Sequence, residues 1–431
     1  MKLKHCLLII QCALLQTFVF GVPVYTSEAP VNTLELTVGA INKAKNQILL
    51  NVYELSSPEI QQALLKQISK GVEVRILLEG EPFSNSAEQR EKTAKSIQDT
   101  VTQFSKAMRS KGAHPNSRFF VMTAEAGGKR RYRWDHAKYI VVDQSSVLIG
   151  SENYSPTGQP APGTVGNRGW EVFILDPKTA AYYKGLFQED TNLEFDDVIE
   201  YSRKASKSTR FFELVDETVF APLNFENLFT LSQPKGLGKA FQIPQFDAQE
   251  IDPFSSPIES QPGLLSLINS AEQTLDIEQM SFPIHWGNAV ARSPLFEAVL
   301  KAARKNVKVR VLLNDPAVFG TTDDANSPPN PSSGDPKGNT GTVALLNQIA
   351  KTEGLQLEAR IVNVSRAGIT YIHNKGALVD GSKTLISSIN WTGNAVTNNR
   401  ETAAVLYSPQ IFDHYQADFN RDWIASKGNR K

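Results

Sequence analysis

The chain holds six histidines in 431 residues, and two of them stand in copies of one short pattern. His136-Ala137-Lys138 is followed by Asp143, then by Gly150-Ser151-Glu152-Asn153. His373-Asn374-Lys375 is followed by Asp380, then by Ser387-Ser388-Ile389-Asn390. His373 lies 237 residues after His136, and Asn390 lies the same distance after Asn153. An imidazole titrates near neutrality, so one ring can attack while the other carries the proton a leaving group needs. Lys138 and Lys375 supply fixed positive charge, the amides of Asn153 and Asn390 further donors, and Ser151 and Ser388 fit the same cradle or its support. Brought together, these groups suit a phosphate. The stretches after each lysine, Tyr139 to Val142 and Gly376 to Val379, read as strands, which put His and Lys at i and i+2 on one face.

The carboxylates need separate treatment. Asp143 and Asp380 fall an odd number of residues after their histidines, beside turn-like segments, and so read as turn-fixing or supporting residues. Glu171 and Glu401, each at the opening of the next strand, are better placed to accept from the far nitrogen of a catalytic histidine. Metal ligation is disfavoured because each motif sets one histidine beside a lysine, whose charge opposes a cation. Neither metal nor cofactor is expected. His114, His285 and His414 have no paired context.

The elements around the motifs are duplicated as well. Opening strands at Ile48–Val52 and Thr274–Ile277 each lead to a helix announced by Ser-Pro (57–58, 293–294) and stopped by Gly71 or Asn306. Strands from Val72 and Val307 follow, then a polar loop and a helix carrying Ile97, Val101, Phe104 and Met108, or Val343, Leu346 and Ile349. Each half closes with a helix launched at Asp176-Pro177 or Ser408-Pro409. Strands alternating with helices predict a duplicated two-lobed α/β sandwich, with mixed sheets flanked by helices. The expected division is a first lobe over 22–205, a crossing segment over 206–262 and a second lobe over 263–431. Asn314 to Asn339, present only in the second half, reads as a solvated insertion or a substrate-entrance loop.

Charge is balanced at 45 Lys+Arg against 45 Asp+Glu, so nothing marks a general polyanion binder. Residues 1–21, with Lys2 and Lys4 ahead of an uncharged apolar run, read as a cleavable signal peptide. That predicts a secreted or periplasmic protein. The only two cysteines, Cys6 and Cys12, lie within that leader, so the rest of the chain has no thiol chemistry. Lys129-Arg130-Arg131 with Arg133 is either a solvated run or a basic rim guiding an anionic substrate.

H-x-K-x4-D-x6-G-S-x-N, occurring twice in one chain, resembles the phospholipase D superfamily, and its secreted bacterial phospholipases D in particular. The likeness covers nearly the whole chain after the leader; Ser387 departs from it where the first copy has Gly150. The resemblance implies one site at the lobe interface, metal-free catalysis and a phosphohistidine intermediate, with His136 as nucleophile and His373 as general acid. The expected activity is hydrolysis of glycerophospholipid headgroups to phosphatidic acid and an alcohol, with transfer to other alcohols. The expected partner is a membrane surface visited peripherally by a monomer. A secreted metal-independent nuclease, with nucleic acid as partner, is the alternative, and an inactive phosphate- or lipid-binding protein a second one.

Overall fold

A computed structural model describes residues 21–84, 86–124, 128–201, 243–287, 289–319 and 337–427. The signal-peptide reading therefore lies outside the described residues except for Gly21, as do 206–242 of the crossing segment and 320–336 of the long loop.

The first half runs β1 (Val22–Ala29), α1 (Thr33–Lys43), β2 (Gln47–Val52), α2 (Pro58–Ser69), β3 (Glu73–Glu79), α3 (Ala87–Met108), β4 (Arg118–Met122), β5 (Lys138–Val142), β6 (Ser146–Gly150), β7 (Gly169–Ile174), α4 (Pro177–Asp190) and β8 (Val198–Glu200). Next come β9 (Gln245–Ala248) and β10 (Glu250–Ser256), both inside the segment read as a crossing. The second half continues with α5 (Ser260–Asn269), β11 (Thr274–Gln279), α6 (Pro294–Arg304), β12 (Lys308–Leu313), α7 (Lys337–Glu353), β13 (Leu357–Ile361), α8 (Val364–Ala367), β14 (Lys375–Val379), β15 (Lys383–Ser387), α9 (Gly393–Thr397), β16 (Glu401–Tyr407) and α10 (Pro409–Ala425).

Among the described residues the strands form two mixed sheets flanked by helices, the α/β architecture expected. One is ordered β8-β4-β3-β2-β5-β6-β7-β1-β9 and the other β10-β16-β15-β14-β11-β12-β13. Read in opposite directions, they share a seven-strand order; β8 and β9 are extra edges on the first. In each, the two adjacent pairings β2–β3–β4 and β11–β12–β13 are parallel and the others antiparallel. The strands β1, β4, β8, β9, β10 and β13 carry no clean alternation and were not anticipated.

Side chains alternate between two faces. Ile140, Val142 and Leu148 pack outward under α1 to α3, and Ala377, Val379 and Leu385 do the same in the second half. Tyr139, Val141, Val147, Leu378 and Ile386 point inward to one cluster shared by both halves, which also takes Tyr183 of α4 and Tyr415 of α10. Each fully buried large apolar side chain contributes roughly 1.5–3 kcal/mol. That shared layer therefore outweighs exposed ion pairs at about 0–1 kcal/mol each. The halves are one packed body.

Helix ends follow the sequence. Asp176 accepts from the amides of Lys178 and Thr179, and Ser293 and Ser408 from Phe296 and Ile411. Gly71 and Asn306 take the left-handed conformation at φ 79° and 69°. Ser57, by contrast, gives its hydroxyl to Glu59 and not to a helix amide.

Candidate active site at the lobe interface

Both histidines sit two residues ahead of their strands, not on them, because each is held by the other half. The His136 amide donates to the Arg400 carbonyl at 2.8 Å, and the His373 amide to the Arg168 carbonyl at 2.9 Å. The imidazoles face each other with centroids 6.5 Å apart and planes at 76°. Lys138 and Lys375, the first residues of β5 and β14, are fully buried and donate back to the carbonyls of His136 and His373.

The ring supports cross the interface too. His136 Nδ1 lies 2.8 Å from Glu401 Oε2 of the second half, and Ser388 Oγ and Asn399 Nδ2 donate to that carboxylate at 2.7 and 2.9 Å. His373 Nδ1 lies 3.3 Å from Glu152 Oε2 of the first half, an ion-pair separation whose angle falls short of a hydrogen bond. Asn167 holds that carboxylate at 2.9 Å and Ser151 at 3.5 Å.

The expectation for Glu171 is therefore corrected. It does not reach His373; it accepts from Thr37 at 3.1 Å and from Gln159 at 2.5 Å. Glu171 is the third residue of β7, and the side chains beside it on that strand face other layers. Glu152 lies inside the first motif, at a position to which the repeat assigns no role. Its signal was the difference between the copies, since Ile389 occupies the same place in the second.

Asp143 and Asp380 stand away from the rings. Each takes φ 51° and binds three successive amides, of Lys45 to Gln47 and of Glu272 to Thr274, that open β2 and β11. Ser151 and Ser388 serve the carboxylates, as above. Asn153 Nδ2 lies 3.4 Å from Glu54 Oε2, and the side-chain oxygens of Asn153 and Asn390 are buried without partners. Tyr53, which sequence reasoning passed over, packs edge-on against His136 at 4.7 Å, with Lys138 Nζ 5.3 Å from its ring. Tyr53 also lines a cavity of about 300 Å³ with Glu54, Leu55, Phe83 and Ile97.

Four basic groups share one buried volume, and burial above all makes each a weaker base. Burial first, then Lys138 and Lys375 against the pull of Glu401, lowers His136 to about 4. Burial lowers Lys138 to about 8. His373 and Lys375 are held well below their usual range by burial and by the neighbouring cations. Burial raises Glu152 to about 7 and Glu171 well above the carboxylate range. An anion between the rings would relieve the cations, since an opposite charge within about 4–6 Å shifts a pKa by roughly 1–3. Among the described residues no group of three or more His, Cys, Asp or Glu could hold a metal ion.

Half of the basic run ahead of His136 is spent internally, while Lys129 and Arg133 are exposed. Arg130 pairs with Glu79 at 2.6 Å, and Arg131 with Asp197 at 2.8 Å.

Two stretches of the chain, residues 38–191 and 264–423, match the family described as "Cardiolipin synthase, PLD-like domain". The chain belongs to the phospholipase D superfamily, whose members are phosphodiesterases and transferases. It is 39% identical over 56 residues to the mitochondrial cardiolipin hydrolase of Danio rerio, spanning 13% of this chain and 25% of that protein. Against the protein of the same name from Chlamydomonas reinhardtii it is 39% identical over 57 residues, spanning 13% and 26%. The chain thus spans about a quarter of the length of these relatives. The phosphatidylserine synthase of Haemophilus influenzae Rd KW20 shares the fold over 93% of this chain and 85% of its own, with TM-score 0.61 and 15% identity.

Proposed function

We propose that this protein is a phospholipase D-type hydrolase that cleaves the headgroup phosphodiester of glycerophospholipids through a phosphohistidine. The observation that carries the reading is the facing pair His136 and His373, 6.5 Å apart, each beside a buried lysine. Glu401 accepts the Nδ1 proton of neutral His136, which leaves the Nε2 lone pair to attack phosphorus. The phosphorus–oxygen bond to the headgroup breaks as His373 gives its proton to the departing alcohol. Neutral His373 then takes a proton from water, or from a second alcohol, whose oxygen displaces His136. Phosphatidic acid, or the exchanged lipid, leaves. Lys138 and Lys375 stabilise the charge on the non-bridging oxygens throughout.

The protein would work as a peripheral monomer at a membrane surface; no helix among the described residues is long and apolar enough to cross one. The internal pairing of Arg130 and Arg131 halves the basic rim that would draw in a nucleic acid, leaving Lys129 and Arg133. The test offers purified protein phosphatidylcholine vesicles and single-stranded DNA side by side, each with and without EDTA. Phosphatidic acid formed equally in EDTA, with the DNA intact, is the expected result. Shortened DNA alone would overturn it in favour of the nuclease, and turnover that EDTA stops and one divalent ion restores would overturn the metal-free mechanism.

A further inference from the structure

The pairing registers put the two halves in an alignment that the motifs alone do not. Ser151 and Ser388 each exchange hydrogen bonds with a residue of the next strand: the Ser151 amide with the Trp170 carbonyl, the Ser388 amide with the Thr402 carbonyl. Their hydroxyls accept from the amides of the same two residues, Trp170 at 3.2 Å and Thr402 at 3.0 Å. Trp170 therefore corresponds to Thr402. One residue earlier, Gly169 corresponds to Glu401, and Arg168 to Arg400, the two residues whose carbonyls hold the histidine amides. Glu171 corresponds to Ala403. By this register the first half has no glutamate where the second half places the partner of His136.

The space is filled all the same. A Cβ built on Gly169 would lie 2.0 Å from Glu152 Oε1 and 2.6 Å from its Cδ. The Glu152 carboxylate thus occupies the place where a side chain at 169 would stand. Its surroundings repeat those of Glu401: a motif serine, an asparagine immediately before the arginine (Asn167, Asn399), and the Nδ1 of the histidine from the opposite half. Ile389, the counterpart of Glu152, is an apolar core residue.

We infer that Glu152 is the positioning residue of His373, its carboxylate relocated from the β7 position that Gly169 leaves empty, and that Gly169 is glycine to admit it. The inference rests on the phosphodiesterase reading only for what His373 does, not for what holds it. Glu152 fixes which ring nitrogen carries the proton and turns the other toward the phosphate, as partners of catalytic histidines do.

The test rebuilds the second half's arrangement in the first. Glu152→Ile copies Ile389, and adding Gly169→Glu copies Glu401; Glu152→Gln keeps the shape and removes the charge. Turnover of bis(p-nitrophenyl) phosphate is followed against pH, and the histidine ring nitrogens are read by NMR, which needs no substrate. Either single change at 152 is expected to lower kcat roughly 10–100-fold, with KM little altered and the His373 ring losing its fixed Nδ1–H form. The double variant is expected to recover most of the rate and the ring signature. Gly169→Glu alone should lose thermal stability, since two carboxylates then claim one space. Unchanged rate and ring signals in Glu152→Gln would overturn the inference, and so would a folded double variant no better than Glu152→Ile. Should the wild type turn over no phosphodiester at all, the function reading falls, while the ring signals still decide the role of Glu152.

Discussion

Glu401 of the second half accepts from His136 Nδ1 of the first at 2.8 Å, and its Arg400 neighbour accepts from the His136 amide through its carbonyl. In the other direction the Arg168 carbonyl accepts from the His373 amide, and the Glu152 carboxylate stands 3.3 Å from His373 Nδ1. Each half carries the reactive ring that the other half orients. Neither lobe holds a complete site, so the proposed catalysis depends on the docking of the two as directly as on any residue.

The arginines that carry those carbonyls are themselves anchored across the interface. Arg400 donates to buried Asp190 of α4 at 2.8 Å and to the Ser256 carbonyl, while Arg168 donates to Asp422 of α10 at 2.6 Å. Removing one partner of a buried ion pair costs about 3–5 kcal/mol because the other is left uncompensated. Arg400→Leu should lose stability of that order in urea titration. It should also lose turnover at temperatures where it remains folded. An unchanged midpoint would mean the interface does not rely on this pair.

Ser387 stands in the second half where the first has Gly150, and the register explains it. A Cβ on Gly150 would come within 2.3 Å of Glu171 Cγ, whereas Ser387 pairs with Ala403. Gly150→Ala should cost about 1–3 kcal/mol by overpacking. Thermal denaturation should find Gly150→Ala restored toward wild type by adding Glu171→Ala. Additive losses in the double variant would show that Glu171 is not the obstacle.

Anion binding should take up protons. At pH 6 His136, lowered to about 4, is neutral, and His373 is held lower than usual as well. A bound phosphate raises the pKa of every nearby group, Glu152 included, so no neighbour releases a proton to offset the gain. Calorimetric titration with sulfate, a phosphate mimic that does not itself titrate near pH 6, in two buffers of different ionisation enthalpy, should show net uptake, and affinity should rise as pH falls. Net proton release would contradict the charge account of the site.

The duplicated motif carried the fold and the central residues, because His, Lys, Ser and Asn keep their spacing in both copies. It did not carry the carboxylates. Glu171 and Glu401 both open the next strand to the eye, but hydrogen-bond register, not distance from the motif, decides which pair corresponds. One sequence signal did contain it: Asn167-Arg168 recurs as Asn399-Arg400, which sets Gly169 against Glu401. Tyr53 had no repeat to mark it, since Met280 holds the matching place near Lys375. The outer strands β1, one in from the edge, and β10, at the edge, escaped because their mixed polar sequences lack alternation, as at Asp252 and Pro253.

The phosphohistidine and its address are the core of the proposed mechanism, and trapping tests both. His373→Ala is given a phosphodiester whose p-nitrophenolate leaving group needs no proton, and the quenched protein is mapped for the acid-labile phosphoryl ester by peptide mass spectrometry at alkaline pH. The phosphoryl ester, still carrying its second substituent, is expected to accumulate on His136, stalled for want of a base to activate water, with none in His136→Ala. The ester on His373 in His136→Ala, with none on His136 in His373→Ala, would reverse the roles of the two rings.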